Sequence, residues 1–222
     1  MRIRDRFHIS TRRQRQITWL MEVVLIGLFF IGLERRNLGI IVNTGIALGV
    51  TQIVPLLERD HNIPMDAGLT LWITAAVFLH ALGTVGLPGG ELSFYRSVPG
   101  WDHLTHVLSS SVVAAVGYAT TLALDRHVDG IDLPPKFMFA FILLFVMAFG
   151  VFWEVIEFGL AGLAALAGTD TVLTQYGLRD TMFDLIFDLL GGVIVAVWGT
   201  AYLTNLVQAL TLRLEQRSGR AD

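Results

Sequence analysis

The sequence predicts an all-α fold: a polytopic membrane helix bundle of six transmembrane helices with both termini on the cytoplasmic side. Three observations predict it. Hydrophobic residues fill 54% of the 222 positions and charged residues only 16%, whereas a soluble domain carries about 25% charged residues; mean hydropathy is +0.61. The apolar residues come in long runs separated by short polar clusters, and runs of about 18 or more indicate bilayer spans. The basic residues, finally, sort into alternate loops.

In chain order, Met1–Gln16 is a basic arm, expected to be cytoplasmic; it serves as a topology signal or lies on an anionic leaflet. The membrane domain follows over residues 17–210. Its runs are Ile17–Leu33, Leu38–Leu57, Ala67–Leu87, Trp101–Leu124, a fifth from Phe137 to between Gly162 and Ala167, and Met182–Leu210. Helices are the reading for these runs because open sheet edges and loops cannot face lipid, and the alternation of a transmembrane barrel is absent. The tail over residues 211–222 is expected to be cytoplasmic. No cleavable signal peptide is expected, since the first run leads directly into further runs.

The positive-inside rule orients the chain. Arg2, Arg4, Arg6, Arg12, Arg13, Arg15, Arg59, Arg126, Lys136, Arg213, Arg217 and Arg220 fall on one side of a six-span chain, and only Arg35, Arg36, Arg96 and Arg179 on the other. The loops Glu58–Asp66 and Asp125–Lys136 are then inside, the second ending in the helix-stopping Pro134-Pro135 pair. Pro88–Gly100 and Ala167–Arg179 are outside. Without cysteine, disulfides, thiol nucleophiles and thiolate metal sites are excluded. A net charge of −3 gives no electrostatic support for a nucleic-acid partner.

The chemistry lies in ionisable residues within the runs, which normally face a partner or a cavity because isolated charge in lipid costs about 2.5–3.5 kcal/mol or more. Asp102 and His106 open the fourth span four residues apart, on one helical face. Glu154 and Glu157 share a face of the fifth. Asp180, Asp184 and Asp188 form an i, i+4, i+8 stripe on the sixth, and His80 ends the third. On the predicted topology all of them fall in the outer half of the bilayer, which argues for one converging site. The metal candidates are His106, Glu154, Glu157, Asp184, Asp188 and Asp102, with His80 and Asp180 as accessory positions. Carboxylates and imidazole suit Mg²⁺, Mn²⁺, Fe²⁺ or Zn²⁺; protonated carboxyls sharing hydrogen bonds are the alternative. Asp102 and Asp180 are equally placed to cap their helices. His103 lies about 60° off the His106 direction and reads as a headgroup contact. Glu22 in span one reads as a structural hydrogen-bond partner at the level of Gln52. Ser109–Ser111, Gly191-Gly192, Gly150 and Gly159 read as close-packing positions.

The ordered set His80-x-x-Gly83, Asp102-x-x-x-His106, Trp153-Glu154-x-x-Glu157 and Asp180-Thr181-x-x-Asp184-x-x-x-Asp188-x-x-Gly191 resembles the YjdF-like family of uncharacterised multi-pass inner-membrane proteins. It is more distantly similar to VanZ-like proteins, which share the Asp-x-x-x-His helix start. The resemblance covers roughly Leu79–Val193 and implies the site residues without implying a reaction. It assigns no role to Tyr95, where Pro-Gly-Gly and Glu91–Tyr95 replace a tighter aromatic loop. Three functional classes stay open at this point: a metal-dependent hydrolase or transferase on a lipid-like substrate, an ion-binding or transport protein, and a structural or regulatory membrane protein whose polar cluster locks helices together.

Overall fold

In the computed structural model the described residues are 9–61, 63, 65–86, 92–128, 130, 132–169, 171–173 and 175–218. The first eight residues of the basic arm, the last four of the tail and Glu91 lie outside them. The described residues form eight helices in order: α1 (Thr11–Glu34), α2 (Leu38–His61), α3 (Ala67–Gly83), α4 (Phe94–Ser97), α5 (Trp101–His127), α6 (Pro135–Ala167), α7 (Leu178–Tyr202) and α8 (Thr204–Ser218). Among the described residues the only β pairing is an isolated bridge between Gly86 and Ser93.

Local chemistry sets the boundaries. Ser10 starts α1, its Oγ accepting from Arg13 N at 3.4 Å, so Arg12, Arg13 and Arg15 of the expected arm are already helical. Asp66 caps α3 by accepting from Gly68 N (2.8 Å) and Leu69 N (3.0 Å). Pro135 takes the first position of α6, where its missing N–H costs nothing. Gly100 and Gly177 precede α5 and α7 with φ of 77° and 111°, turns that favour glycine and deliver the chain into the two helices that begin with the acidic motifs.

α1, α2 and α5–α7 contain segments long and apolar enough to cross a membrane. The third expected span is shorter: α3 has 17 residues, about 25 Å at roughly 1.5 Å per residue. It stops at Gly83 because the chain turns back there. Phe94 N donates to Val85 O (3.0 Å), and the rings of Tyr95 and Trp101 close over Gly83, where any Cβ would collide with them. The expected sixth run, Met182–Leu210, begins earlier, at Leu178, and is divided at Leu203 into α7 and α8. No proline or glycine marks that division. Leu203 and Val207 are both buried at the junction, so tertiary packing holds it.

Two groups of helices make the bundle. α1, α2 and α3 pack on one another, with Leu25, Ala47 and Ala81 between them. α5 is central to the second group: it packs against α6, α7 and α8 around Ala115, Tyr118, Ile142, Val146 and Val195. α3 joins the groups by packing on α5, while α2 and α6 do not pack against each other. The outer faces are apolar and open; Leu144, Phe158 and Leu166 are 71%, 69% and 87% exposed, the pattern expected where lipid rather than water is the solvent. The Gln52 amide donates to Thr51 Oγ1 (3.4 Å).

Candidate functional site

The i, i+4 spacing of Asp102 and His106 stacks them on the first turns of α5, and the same spacing stacks Asp184 and Asp188 on α7. Glycine lets the two stacks meet. At Gly191 of α7 a Cβ would overlap Ser110 Oγ and lie 2.5 Å from Val107 O, so only hydrogen fits between the backbones. His106 consequently faces α7. Its Nδ1 is 3.1 Å from Asp188 Oδ1, and its Nε2 is 3.7 Å from Asp102 Oδ1 and 3.8 Å from Asp184 Oδ1. One ligand atom from each of Asp102, His106 and Asp184 falls within 4.8 Å of the others. Asp184 is 2% exposed, and its Oδ1 is buried without a hydrogen-bond partner. Asp188 is pressed against α6 at Gly150, where a Cβ would lie 2.5 Å from its Oδ2.

The glutamates of α6 join from the side. Glu154 Oε2 accepts from Thr181 Oγ1 (2.7 Å), and the Gln175 amide donates to that same hydroxyl (2.9 Å). Glu154 Oε1 is buried and unpartnered. Glu157 Oε1 accepts from Trp153 Nε1 (3.1 Å). The Trp153 ring meets His80 edge-on at 5.8 Å, and Tyr95 OH lies 2.8 Å from His80 Nδ1. Enclosure of the Tyr95 hydroxyl raises its pKa above the ordinary tyrosine value, with a hydrogen bond to Thr105 opposing and the charges of Asp102 and Glu157 adding to the rise. A cavity of about 290 Å³ is lined by His80, Tyr95, Asp102, His106 and Glu157, with Arg35 and Arg96 also on its wall.

A family described as predicted membrane proteins (DUF2238) matches residues 17–205. The chain belongs to the DUF2238 family. The match extends the resemblance, seen from the motifs only over Leu79–Val193, to the first two helices; it does not carry the YjdF-like or VanZ-like names. A protein of Thermotoga maritima described as uncharacterized is 38% identical over 125 residues, which cover 54% of this chain and 56% of that protein. The aligned part thus spans little more than half of the relative. No solved structure matches.

In this DUF2238 protein the fold brings Asp102, His106, Asp184 and Asp188 into one cluster. Glu154 is linked to it through Thr181 on α7, and Glu157 and His80 share its cavity. Asp180 stands apart from the cluster: its Oδ2 accepts from Tyr176 N (3.0 Å), a contact to the turn before α7 of the capping kind. Asp102 does not cap, because Gly100 occupies the cap position of α5 and no side chain bonds there. Four contributors were not expected. His103, read as a headgroup contact, stacks on Phe187 (4.2 Å) with Nδ1 3.9 Å from Asp184. Tyr95 holds His80, and Thr181 and Gln175 hold Glu154. The period of the helix gave a signal for none of these, since each contact joins different elements. The set is rich in oxygen with one imidazole, which suits a hard or borderline divalent cation.

Proposed function

We propose that Asp102, His106 and Asp184 hold a divalent cation in a membrane-embedded hydrolase or transferase that acts on a lipid-like substrate. The observation that carries this reading is Asp184 Oδ1: buried, without a donor, and grouped with Asp102 and His106 Nε2. Buried polar atoms are nearly always satisfied, so such an atom asks for a partner. Among the described residues no guanidinium or ammonium is paired with it, and Arg35 and Arg96, which line the cavity, are exposed.

His106 supports the same reading. An Asp188 carboxylate accepting from its Nδ1 places the proton there and leaves the Nε2 lone pair facing Asp102 and Asp184. A carboxylate behind a histidine is the usual support of a metal-ligating imidazole. Asp188 is therefore assigned to orienting His106. Glu157 and Glu154, beside the cation position, are the reserve carboxylates that take or return a proton during the reaction. A cation there would supply Lewis-acid polarisation of a substrate oxygen. Mg²⁺, Mn²⁺, Fe²⁺ and Zn²⁺ all suit the donor set.

The membrane arrangement belongs to the same proposal: six crossings by α1, α2, α3, α5, α6 and α7, both termini cytoplasmic, and the cluster in the outer half of the bilayer. The test is elemental analysis of the detergent-purified protein, with thermal shift against added Mg²⁺, Mn²⁺ and Zn²⁺. We expect stoichiometric metal in wild type and its loss in Asp184→Asn, with lower thermal stability because ligand binding stabilises the folded state. Wild-type protein without stoichiometric metal and without a shift for any of the three ions would overturn the reading. An Asp184→Asn variant as stable as wild type would instead favour a protonated carboxyl at that position.

A further inference from the structure

Two cavities meet at the histidines. The polar one is described above. The second, about 420 Å³, is lined mainly by apolar side chains, among them Ile46 of α2, Val113 of α5 and Phe149, Ile156 and Leu160 of α6. Its size is within the range of roughly 300–1,000 Å³ usual for small-molecule sites. His80, His106, Val172 and Leu173 line both cavities. His80 Nε2 is buried there without a hydrogen-bond partner. Asn43 Nδ2 donates to Val172 O (2.9 Å), tying the 171–173 segment to α2 at this junction.

The apolar cavity occupies the space where the two helix groups fail to close. α2 and α6 both contribute to its lining and do not pack against each other. Ile46 is 61% exposed and Phe149 46%, so this side opens toward whatever surrounds the bundle, and around apolar helices that is hydrocarbon. A space that is apolar toward lipid and polar at its inner end fits an amphiphile. Beside the carboxyls of Asp102 and Glu157, the polar cavity carries two exposed arginines, Arg35 and Arg96, whose guanidiniums suit a phosphate through paired, charge-assisted hydrogen bonds.

We infer that the pair of cavities binds a phosphate-bearing lipid, its tail lying between α2 and α6 and its phosphate between Arg35, Arg96 and the Asp102–His106–Asp184 cluster. This deepens the enzymatic reading and rests on it only for the cluster's share in holding the phosphate. The arginines and the α2–α6 opening are independent of any metal. A lipid reaches the site sideways from its own leaflet and never passes through water.

The test uses the full-length protein in detergent and equilibrium binding of radiolabelled dioleoyl phosphatidic acid, with dioleoylglycerol and inorganic phosphate as comparison probes. Phosphatidic acid is expected to bind saturably, and more tightly than either probe by about tenfold or more. The double variant Arg35→Ala/Arg96→Ala should lose about that factor. Ile46→Trp, at an exposed position that lines the apolar cavity, should weaken phosphatidic acid equally and leave inorganic phosphate unchanged; Phe149→Ala should leave the phosphate affinity unchanged and alter that of the lipid. Thermal unfolding of each variant confirms that it is folded. Equal affinity for phosphatidic acid and dioleoylglycerol would overturn the headgroup assignment. Affinity for phosphatidic acid that matches inorganic phosphate and ignores Ile46→Trp would overturn the tail assignment. The metal reading is judged separately by elemental analysis: lipid binding that keeps its arginine dependence in metal-free Asp184→Asn supports the present inference even where the metal reading has failed, and metal binding without lipid binding does the reverse.

Discussion

Asp188 is held from two sides. His106 Nδ1 is 3.1 Å from one of its oxygens, and the space beside the other is open only because residue 150 lacks a Cβ. Gly150→Ala would place a methyl 2.5 Å from that oxygen. The methyl would also lie 3.1 Å from Leu185 Cδ2, so the carboxylate is pushed away from His106 or α6 and α7 move apart. We expect a stability loss of about 1–3 kcal/mol, the usual scale for overpacking, together with weaker cation binding, measured by denaturation and by metal titration of the same sample. Tyr95 offers a second test at this scale. Its hydroxyl lies 2.8 Å from His80 Nδ1 and 3.3 Å from His80 O, and burial raises its pKa. The sign is as follows: an unfolded tyrosine ionises near about pH 10 and the folded one later, so the folded state keeps the proton that the unfolded state gives up. The contribution is complete below about pH 10 and is lost as pH rises through the folded value. Tyr95→Phe should therefore cost about 1–3 kcal/mol uniformly between pH 6 and 9, and should lessen the decline of wild-type stability in more alkaline solution. A cost that varies across pH 6–9 would count against this account.

Between elements, the small residues separate into those that matter and those that do not. Gly191 touches the α5 backbone, whereas Gly159 has nothing within 4 Å of a built Cβ. Gly191→Leu should force α5 and α7 apart, separate His106 from Asp184 and Asp188, and lower thermal stability more than any other single glycine change in α7. Gly159→Ala should be neutral or stabilising by up to about 1 kcal/mol, through helix propensity alone. Thermal unfolding of the two variants side by side checks both, and a Gly159→Ala as damaging as Gly191→Leu would refute the assignment. The contrast shows what kind of information the sequence carries. Both glycines read alike as packing positions, because composition records a small side chain and not its neighbour. The apolar runs located the long helices because length and apolarity are local properties. The stop at Gly83 and the division at Leu203 depend on Tyr95, Trp101 and buried packing, so they were not legible. In the site, periods of three and four placed Asp102 with His106 and Asp184 with Asp188. The contacts of His103, Thr181 and Gln175 depend on helix against helix, which no single-element period encodes.

For the whole molecule the question is which way the bundle faces. Twelve of the sixteen basic residues fall on one side if α1, α2, α3, α5, α6 and α7 all cross; the bias of cytoplasmic loops toward Arg and Lys then sets that side inward. The shortest of the six proposed crossings is α3, whose 17 residues reach about 25 Å against a hydrocarbon core of about 30 Å. Its ends argue that it crosses. Asp66 caps one end with its carboxylate, and the other is closed by Tyr95 and Trp101, aromatic residues of the kind that collect at membrane interfaces. Modest mismatch of this kind is absorbed by local thinning of the bilayer. A reporter fused after Asp222 should accordingly be cytoplasmic, and one inserted in 91–98 external. The second fusion decides more than orientation. If it reports cytoplasmic while the C-terminal fusion does too, the six-crossing count fails, because α5, α6 and α7 lie between the two positions; if it reports cytoplasmic while the C-terminal fusion is external, the whole bundle is inverted. In the inverted case Arg35 and Arg96, which share one cavity wall, and the start of α5 all lie on the inner side. The polar cavity would open toward the cytoplasm, and a phosphate lipid would enter from the inner leaflet instead. The cluster of Asp102, His106 and Asp184 would be unchanged, because it depends on the packing of α5 against α7. Reporter signals from the two positions, read together, thus fix the leaflet from which the site is reached.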